Sequence, residues 1–307
     1  MVSTSFQCLQ EINQQMKWVL MRIVPNAASA GLMTLLLLAA APGITQDSMA
    51  DLLAPIGTGS DVVTVDILDE KIVHDGRYIV GVRMHLEDGW RSYWRLPDAS
   101  GLPTQFHVLS TRNVESIRIH WPAPSLVEQF GSLSIGYVGE IVFPMEIIPQ
   151  DVTNDQVHLQ SIVQFGICKD VCIPMSREIV VDVPTLDTTD TFGPIAHALE
   201  NLPLDHIPTA PGDTITCLPI EIAGSRLQAV VPLPAWQQVD RVAVIFEDVR
   251  GRAYFAPPVI TRVAPDRLHL ATKLQFLTDE RAPLRSGELQ VLMLFDTRAY
   301  EIPGCPG

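Results

Sequence analysis

Cys168 and Cys172 stand three residues apart in the run Phe165-Gly166-Ile167-Cys168-Lys169-Asp170-Val171-Cys172-Ile173-Pro174. Two thiols this close can staple a turn, hold a soft metal ion or exchange electrons with another thiol pair. A zinc cage wants three or four ligands. His74, His85, His107, His120 and His158 show no ligand-like spacing that would complete one. The residues before Cys168 and after Cys172 predict antiparallel strands joined by a three-residue loop. Directly opposed residues in such a pair have Cα atoms about 4.5–5.5 Å apart, inside the disulfide window of about 4.4–6.8 Å. A Gly before the pair and a Pro after it argue against a helix. A bond that closes so short a loop stabilises little, whereas exposed disulfides are the labile ones. Lys169 favours a thiolate and Asp170 opposes it. Exchange needs one attackable sulfur and one that resolves the mixed disulfide, and Cys172 is the expected attacker. Two plainer readings compete: a structural hairpin staple, and a copper or zinc site that uses both thiolates.

The remaining cysteines read differently. Cys8 belongs to the leader described below. Cys217 and Cys305 are far apart, and four cysteines allow three connectivities. The simplest pairs the near with the near and the far with the far, 168–172 and 217–305. A bond between Cys217 and Cys305 would tie the ends of a domain and stabilise it by roughly 4–5 kcal/mol on the chain-entropy view. A second redox pair is the alternative.

Lys17 and Arg22 precede the apolar stretch Ala27 to Ala41, which is followed by small residues. This is the pattern of a secretory signal, and it is short for a membrane span, which needs about 20 apolar residues. Met16 and Met21 are candidate starts, and cleavage is expected after Ala41, Gly43 or Ala50. An uncleaved anchor is the other reading, and both put the body outside the cytoplasm. Later apolar runs are broken by charge or proline. The 307 residues carry 35 Asp and Glu against 21 Lys and Arg. An acidic chain without a basic cluster argues against nucleic acid. There is no Gly-x-Ser-x-Gly, His-Glu-x-x-His, phosphate loop or dinucleotide fingerprint, and nothing calls for a cofactor.

Short alternating segments with turns between them must position the cysteines. Val62 to Leu68, Lys71 to Val73, Tyr78 to Leu86, Val114 to Trp121, Ile141 to Ile148, Val157 to Ile167 and Arg177 to Val183 predict strands, with a turn at His74-Asp75-Gly76. An all-β, sandwich-type domain over 60–185 follows. The proline-rich stretch 186–211 reads as a linker with one short helix within Phe192 to Leu202. A second, smaller β domain follows over 212–305, with strands at Glu221-Ile222, Leu227 to Val231, Arg241 to Phe246, Ala253 to Phe255, Arg267 to Thr272 and Glu288 to Phe295. Residues 1–50 are signal and processing region.

Four blocks, in order, resemble the periplasmic N-terminal domain of the DsbD and ScsB thiol–disulfide reductases. They are Gly89-Trp90-Arg91-Ser92-Tyr93-Trp94-Arg95-Leu96-Pro97-Asp98-Ala99-Ser100-Gly101-Leu102-Pro103, then Trp121-Pro122-Ala123-Pro124, Gly136 to Pro144, and Gly166 to Pro174. The cysteine spacing is similar to the ScsB-like branch, and the C-terminal half resembles that branch's second β domain more weakly. The resemblance implies an immunoglobulin-like first domain and a Cys168/Cys172 couple that cycles between dithiol and disulfide in the periplasm. It implies a membrane-embedded thiol reductase as electron source and periplasmic thioredoxin-like proteins as partners. Long members carry a membrane domain and a thioredoxin-like domain, and neither follows here, so the source is expected to be a separate protein. In DsbD a cap loop shields the cysteines. By position Phe130 to Gly139 would correspond, with Tyr137 and Phe130 over the sulfurs. On its residues alone that Gly- and Ser-rich segment suits a lid or an ordinary strand connection equally. Trp90, Tyr93 and Trp94 read as core or as a brace for the hairpin. A different class remains open: an exported copper-binding or scaffold β-sandwich with purely structural disulfides.

Overall fold

Asp75 and Gly76 both take left-handed backbone angles, φ 50° and 72°. That is what a tight two-residue hairpin turn demands, and Asp-Gly tolerates it well. The turn joins β1 (Val63–His74) to β2 (Arg77–Leu86), the first hairpin of the fold. The computed structural model describes residues 62–96, 102–129, 132–153, 156–184, 193–210, 213–233, 242–277, 283–295 and 298–306. The expected signal region lies outside the described residues.

The first half continues with β3 (Arg91–Tyr93), β4 (Gln105–Arg112), β5 (Ser116–Ile119), β6 (Ser125–Gln129), β7 (Ser132–Val138), β8 (Glu140–Ile148), β9 (Gln156–Cys168) and β10 (Cys172–Pro184). One sheet has the order β1-β2-β8-β5. The other runs β10-β9-β3-β7-β6, with β4 also paired to β9. All pairings are antiparallel. The period-two apolar sets make the core. Val157, Leu159, Val163, Phe165 and Ile167 of β9 turn inward, as do Tyr78, Val80, Val82, Met84 and Leu86 of β2. Successive side chains of a strand point to opposite faces, so each sheet buries one apolar face against the other. Phe143 lies at the centre, edge-on to Phe106, Trp121 and Tyr137 at 5.7, 5.5 and 5.4 Å. Each such ring pair adds about 0.5–1.5 kcal/mol beyond burial. The result is an immunoglobulin-like sandwich.

The stretch expected to link the halves is docked where it is described. A short helix, α1 (Pro194–Glu200), buries Ile195 and Ala198 beside Val142, Leu68 and Ile72 on the outer face of the first sheet. Glu70 Oε1 accepts the Ile195 backbone N–H at 2.8 Å, satisfying one of the donors a helix leaves free at its start.

Beyond it come β11 (Ile207–Ala210), β12 (Asp213–Ile215), β13 (Ile220–Ala223), β14 (Arg226–Pro232), β15 (Val242–Asp248), β16 (Ala253–Phe255), β17 (Val259–Ala264), β18 (Arg267–Phe276), β19 (Leu289–Phe295) and β20 (Arg298–Pro303). A five-stranded sheet (β13-β14-β18-β16, with β17 on β18) faces the three-stranded sheet β15-β19-β20 around a second core. The small sheet is apolar on both faces. Val291, Met293 and Phe295 join the second core, while Leu292, Leu294 and Ala299 join the first. A strand buried on both faces reads as a continuous apolar run rather than an alternating one, and β19 does, Leu-Gln-Val-Leu-Met-Leu-Phe. The two sandwiches therefore share a layer.

Cys217 and Cys305 are bonded, with Cα atoms 4.8 Å apart. A parallel bridge between Leu218 and Gly304 lies beside the bond, so the ends of the second half are held covalently and through the backbone.

The β15–β16 turn is held by a buried carboxylate. Asp248, with no side-chain exposure, accepts the Arg252 backbone N–H at 2.8 Å and Arg252 Nε and Nη2 at 3.0 and 2.9 Å. Burial works to raise its pKa, but the Arg252 side chain and the Arg252 and Arg250 backbone N–H groups outweigh that and hold it below the usual aspartate range. A carboxylate lowered on folding stabilises above its unfolded pKa, about 3.9, and ceases to as pH falls through its folded value. Asp248→Asn keeps the shape and removes the charge. It is expected to cost about 2 kcal/mol at pH 7 and little below the folded pKa, as measured by urea unfolding at the two pH values.

Candidate redox site

β9 and β10 pair without slippage from Gln156↔Pro184 to Cys168↔Cys172. The two cysteines are the last opposed pair before the loop Lys169-Asp170-Val171, with Cα atoms 4.2 Å apart and sulfurs bonded. The hairpin expected from spacing is the hairpin found. The two sulfur-bearing residues are unequal: Cys168 is fully buried, whereas Cys172 is exposed. Val171 beside it is 63% exposed.

Strand register explains what covers Cys168. Arg91 of β3 lies opposite Cys168 on one side and Val138 of β7 on the other, and Ser92 lies opposite both Ile167 and Tyr137. Side chains alternate, so Ser92, Ile167 and Tyr137 share the core face, while Arg91, Tyr93, Val138 and Cys168 share the outer face. Tyr93 is 1% exposed. Its hydroxyl donates to Cys168 Sγ at 3.0 Å and lies 3.5 Å from Cys172 Sγ. Gly136 faces Tyr93 across the ladder. A Cβ there would stand 2.0 Å from the Ser92 carbonyl oxygen, so only glycine lets β7 approach β3 this closely. The loop tip is held as well: Arg91 Nη2 donates to the Lys169 carbonyl at 3.0 Å, and Lys169 Nζ donates to the Asp88 carbonyl at 3.3 Å. The ammonium between the sulfurs in sequence is thus engaged by a neighbouring turn.

The expected cap is corrected in part. Tyr137 does not lie over the sulfurs. Its ring packs on Phe143 inside the sandwich and its hydroxyl donates to the Pro122 carbonyl at 2.9 Å. Burial pushes that phenol's pKa well up, as for a residue sealed in a core. Phe130 lies outside the described residues. Ser132 and Gln129 are paired strand positions, six residues down β7 from Val138, or about 20 Å at the usual strand rise. Among the described residues, Tyr93 is the aromatic hydrogen-bonded to sulfur. In the sequence it reads as core or as a brace; the signal that singles it out is its place two residues after Arg91, once β3 is laid against Cys168. Trp94 is a fully buried core residue, and Trp90 packs half-buried at the same core's edge.

The arrangement suits disulfide exchange. A thiolate attacking Cys172 displaces Cys168, and the Tyr93 hydroxyl is in place to stabilise the departing thiolate. Hydrogen bonds to charged groups contribute about 1.5–3 kcal/mol. Tyr93→Phe is therefore expected to slow reduction of the disulfide by dithiothreitol about tenfold while leaving the urea midpoint nearly unchanged. Stopped-flow fluorescence or quenched thiol counting measures this. For a metal, the described residues offer no group of three or more His, Cys, Asp or Glu. Among them, too, no helix is long and apolar enough to cross a membrane.

With this geometry in hand, comparison with known proteins is direct. Residues 64–184 match the sequence model of the family described as thiol:disulfide interchange protein DsbD, N-terminal. No curated relative matches the chain. The crystal structure of the N-terminal periplasmic domain of ScsB from Proteus mirabilis is similar in fold, with a TM-score of 0.56 at 19% identity. The similarity covers 80% of this chain and 92% of that one, so it extends past the first sandwich. Over β1 to β10, then, the chain is similar to the N-terminal domain of DsbD and ScsB, with Cys168 and Cys172 at the tip of its last hairpin.

Proposed function

We propose that this protein relays electrons outside the cytoplasm, in the periplasm, by reversible thiol–disulfide exchange at Cys168 and Cys172. The observation that carries the reading is the asymmetry of the pair: one sulfur sealed under the Tyr93 hydroxyl, the other open at a hairpin tip. A partner thiolate attacks Cys172 Sγ. The Sγ–Sγ bond breaks and its electron pair leaves on Cys168. A second partner thiolate then attacks the partner's own sulfur in the mixed disulfide, and Cys172 leaves as a thiolate. The partner ends as a disulfide, the chain as a dithiol, and the two protons of the partner's thiols reside on Cys168 and Cys172. Run backwards against an acceptor disulfide, the same steps pass the two electrons on.

Exposed apolar side chains flank the tip. Val171 is 63%, Val138 52% and Leu102 51% exposed, and the Leu102 carbonyl accepts Gly166 N–H at 3.1 Å beside the cysteines. Such a rim favours protein partners over small thiols. By analogy with the family, a membrane-embedded thiol reductase is the donor and thioredoxin-like proteins are the acceptors. The test is differential labelling of the reduced chain with a maleimide. Cys172 is expected to react on the order of 100-fold faster than Cys168, since a sealed thiol reacts only through local opening. Equal rates would remove the basis of the reading.

A further inference from the structure

Arg95 ties the strand that carries Tyr93 to the other half of the chain. Its guanidinium donates to Glu247 Oε2 of β15 at 2.7 Å and to Glu301 of β20, and it lies 4.0 Å from the centroid of the Trp94 ring. The three charged side chains are only 16%, 21% and 23% exposed. Burial acts to lower the pKa of Arg95, and the hydrogen bonds to Glu301 and Glu247 outweigh it. Partly dry ion clusters contribute modestly to stability because desolvation offsets the attraction. Their geometry, however, is tightly specified by a planar fork.

The strand this cluster holds is short. β3 spans three residues; its ladder to β9 takes in Arg91 and Ser92, while Tyr93, its last, is paired to Gly136 of β7. Past Tyr93 the chain leaves the sheet. The Tyr93 carbonyl accepts Thr104 Oγ1 at 2.7 Å, and the Trp94 N–H donates to the Ile135 carbonyl at 3.3 Å. Trp94 is fully buried, and Arg95, stacked on its ring, finds its carboxylate partners in the second half. What fixes residues 94 and 95 also fixes where the phenol of Tyr93 lies.

We infer that Arg95, clamped by Glu247 and Glu301, is a positioning residue that holds the Tyr93 hydroxyl on Cys168 Sγ, so that the second sandwich tunes the redox couple of the first. This rests on the exchange reading above.

The experiment uses the full chain and two readouts: the rate of disulfide reduction by dithiothreitol and the equilibrium with glutathione. Arg95→Met combined with Glu247→Gln and Glu301→Gln removes the clamp and leaves no carboxylate unpaired. It is expected to slow reduction about tenfold and to displace the equilibrium about tenfold toward disulfide, about 30 mV. In a Tyr93→Phe background the same three changes are expected to add nothing, because the effect passes through the phenol. Unchanged values in the triple variant, or an equal effect with and without the phenol, would overturn the inference. Should the triple variant lose its near-ultraviolet circular dichroism, Arg95→Lys replaces it. Lys keeps the charge but not the two-pronged contact, and a smaller shift of the same sign, about threefold, is expected; no shift overturns the inference. Wild-type chain that exchanges with neither reagent overturns the exchange reading itself. Wild type and Tyr93→Phe that differ, beside clamp variants that match wild type, overturn only the clamp.

Discussion

Cys168→Ser is expected to turn the chain into a trap. In that variant Cys172 remains exposed at the hairpin tip and can attack an incoming disulfide. The sulfur that would resolve the adduct is gone, so the mixed disulfide accumulates. With oxidised glutathione as probe, mass spectrometry should find nearly complete adduct on Cys172. Cys172→Ser leaves only the sealed sulfur of Cys168. Its adduct should form on the order of 100-fold more slowly, limited by local opening of the hairpin. A relay requires one nucleophile and one resolver, and the pair of variants assigns them. Adducts of equal yield and rate on the two single variants would contradict the assignment. The trap also provides a direct search for protein partners, because a thioredoxin-like acceptor in its disulfide form would be captured covalently.

The second large effect belongs to the other bond. Cys217 and Cys305 are 88 residues apart in sequence, Cys168 and Cys172 four. On the chain-entropy view, loops of those lengths contribute about 4–5 and about 2 kcal/mol. Replacing Cys217 and Cys305 by Ser is therefore expected to lower the unfolding free energy by about 4–5 kcal/mol, seen as a large fall in the urea midpoint. Electron exchange at the hairpin should survive it wherever the chain stays folded. Replacing Cys168 and Cys172 should show the opposite profile, a small fall in stability and complete loss of exchange. The two bonds thus divide between stability and chemistry. Loss of exchange in folded Cys217→Ser/Cys305→Ser protein would instead support a second redox pair.

Much of this was legible in the sequence, and the reasons are physical. Strands with one buried face announced themselves by alternation: β2, β9 and β14 carry it plainly, and Asp75-Gly76 marks its own turn. The cysteine hairpin was legible because a three-residue loop between strands leaves its flanking residues opposed. β4 was missed because it carries little alternation. Its burial is almost uniformly low, since it lies along β9 with most side chains in solvent. β7 was hidden in the Gly- and Ser-rich stretch 130–139, which suits a lid as readily as a strand. Gly136 is there for close strand approach rather than for mobility.

The misplacement of Tyr137 and the underrating of Tyr93 have one cause. Which face an aromatic occupies depends on register, and a shift of one residue sends every side chain to the other face. Tyr93 lies seventy-five positions from Cys168 in sequence, and no local pattern fixes a pairing at that range. The shared layer β15-β19-β20 was likewise invisible as a contact. The continuous apolar run of β19 does signal burial on both faces, but not against what. The segment read as a linker shows the same limit, since the docking of α1 depends on apolar positions of β1, β2 and β8.

The most direct measurement is the redox equilibrium of Cys168 and Cys172 in glutathione buffers, followed by thiol trapping on the full chain. A bond that opens and closes in service must sit within reach of biological thiol couples, so its potential should lie above about −300 mV. A value below that would place it with inert structural bridges, and the hairpin would then be a staple in a binding or scaffold protein.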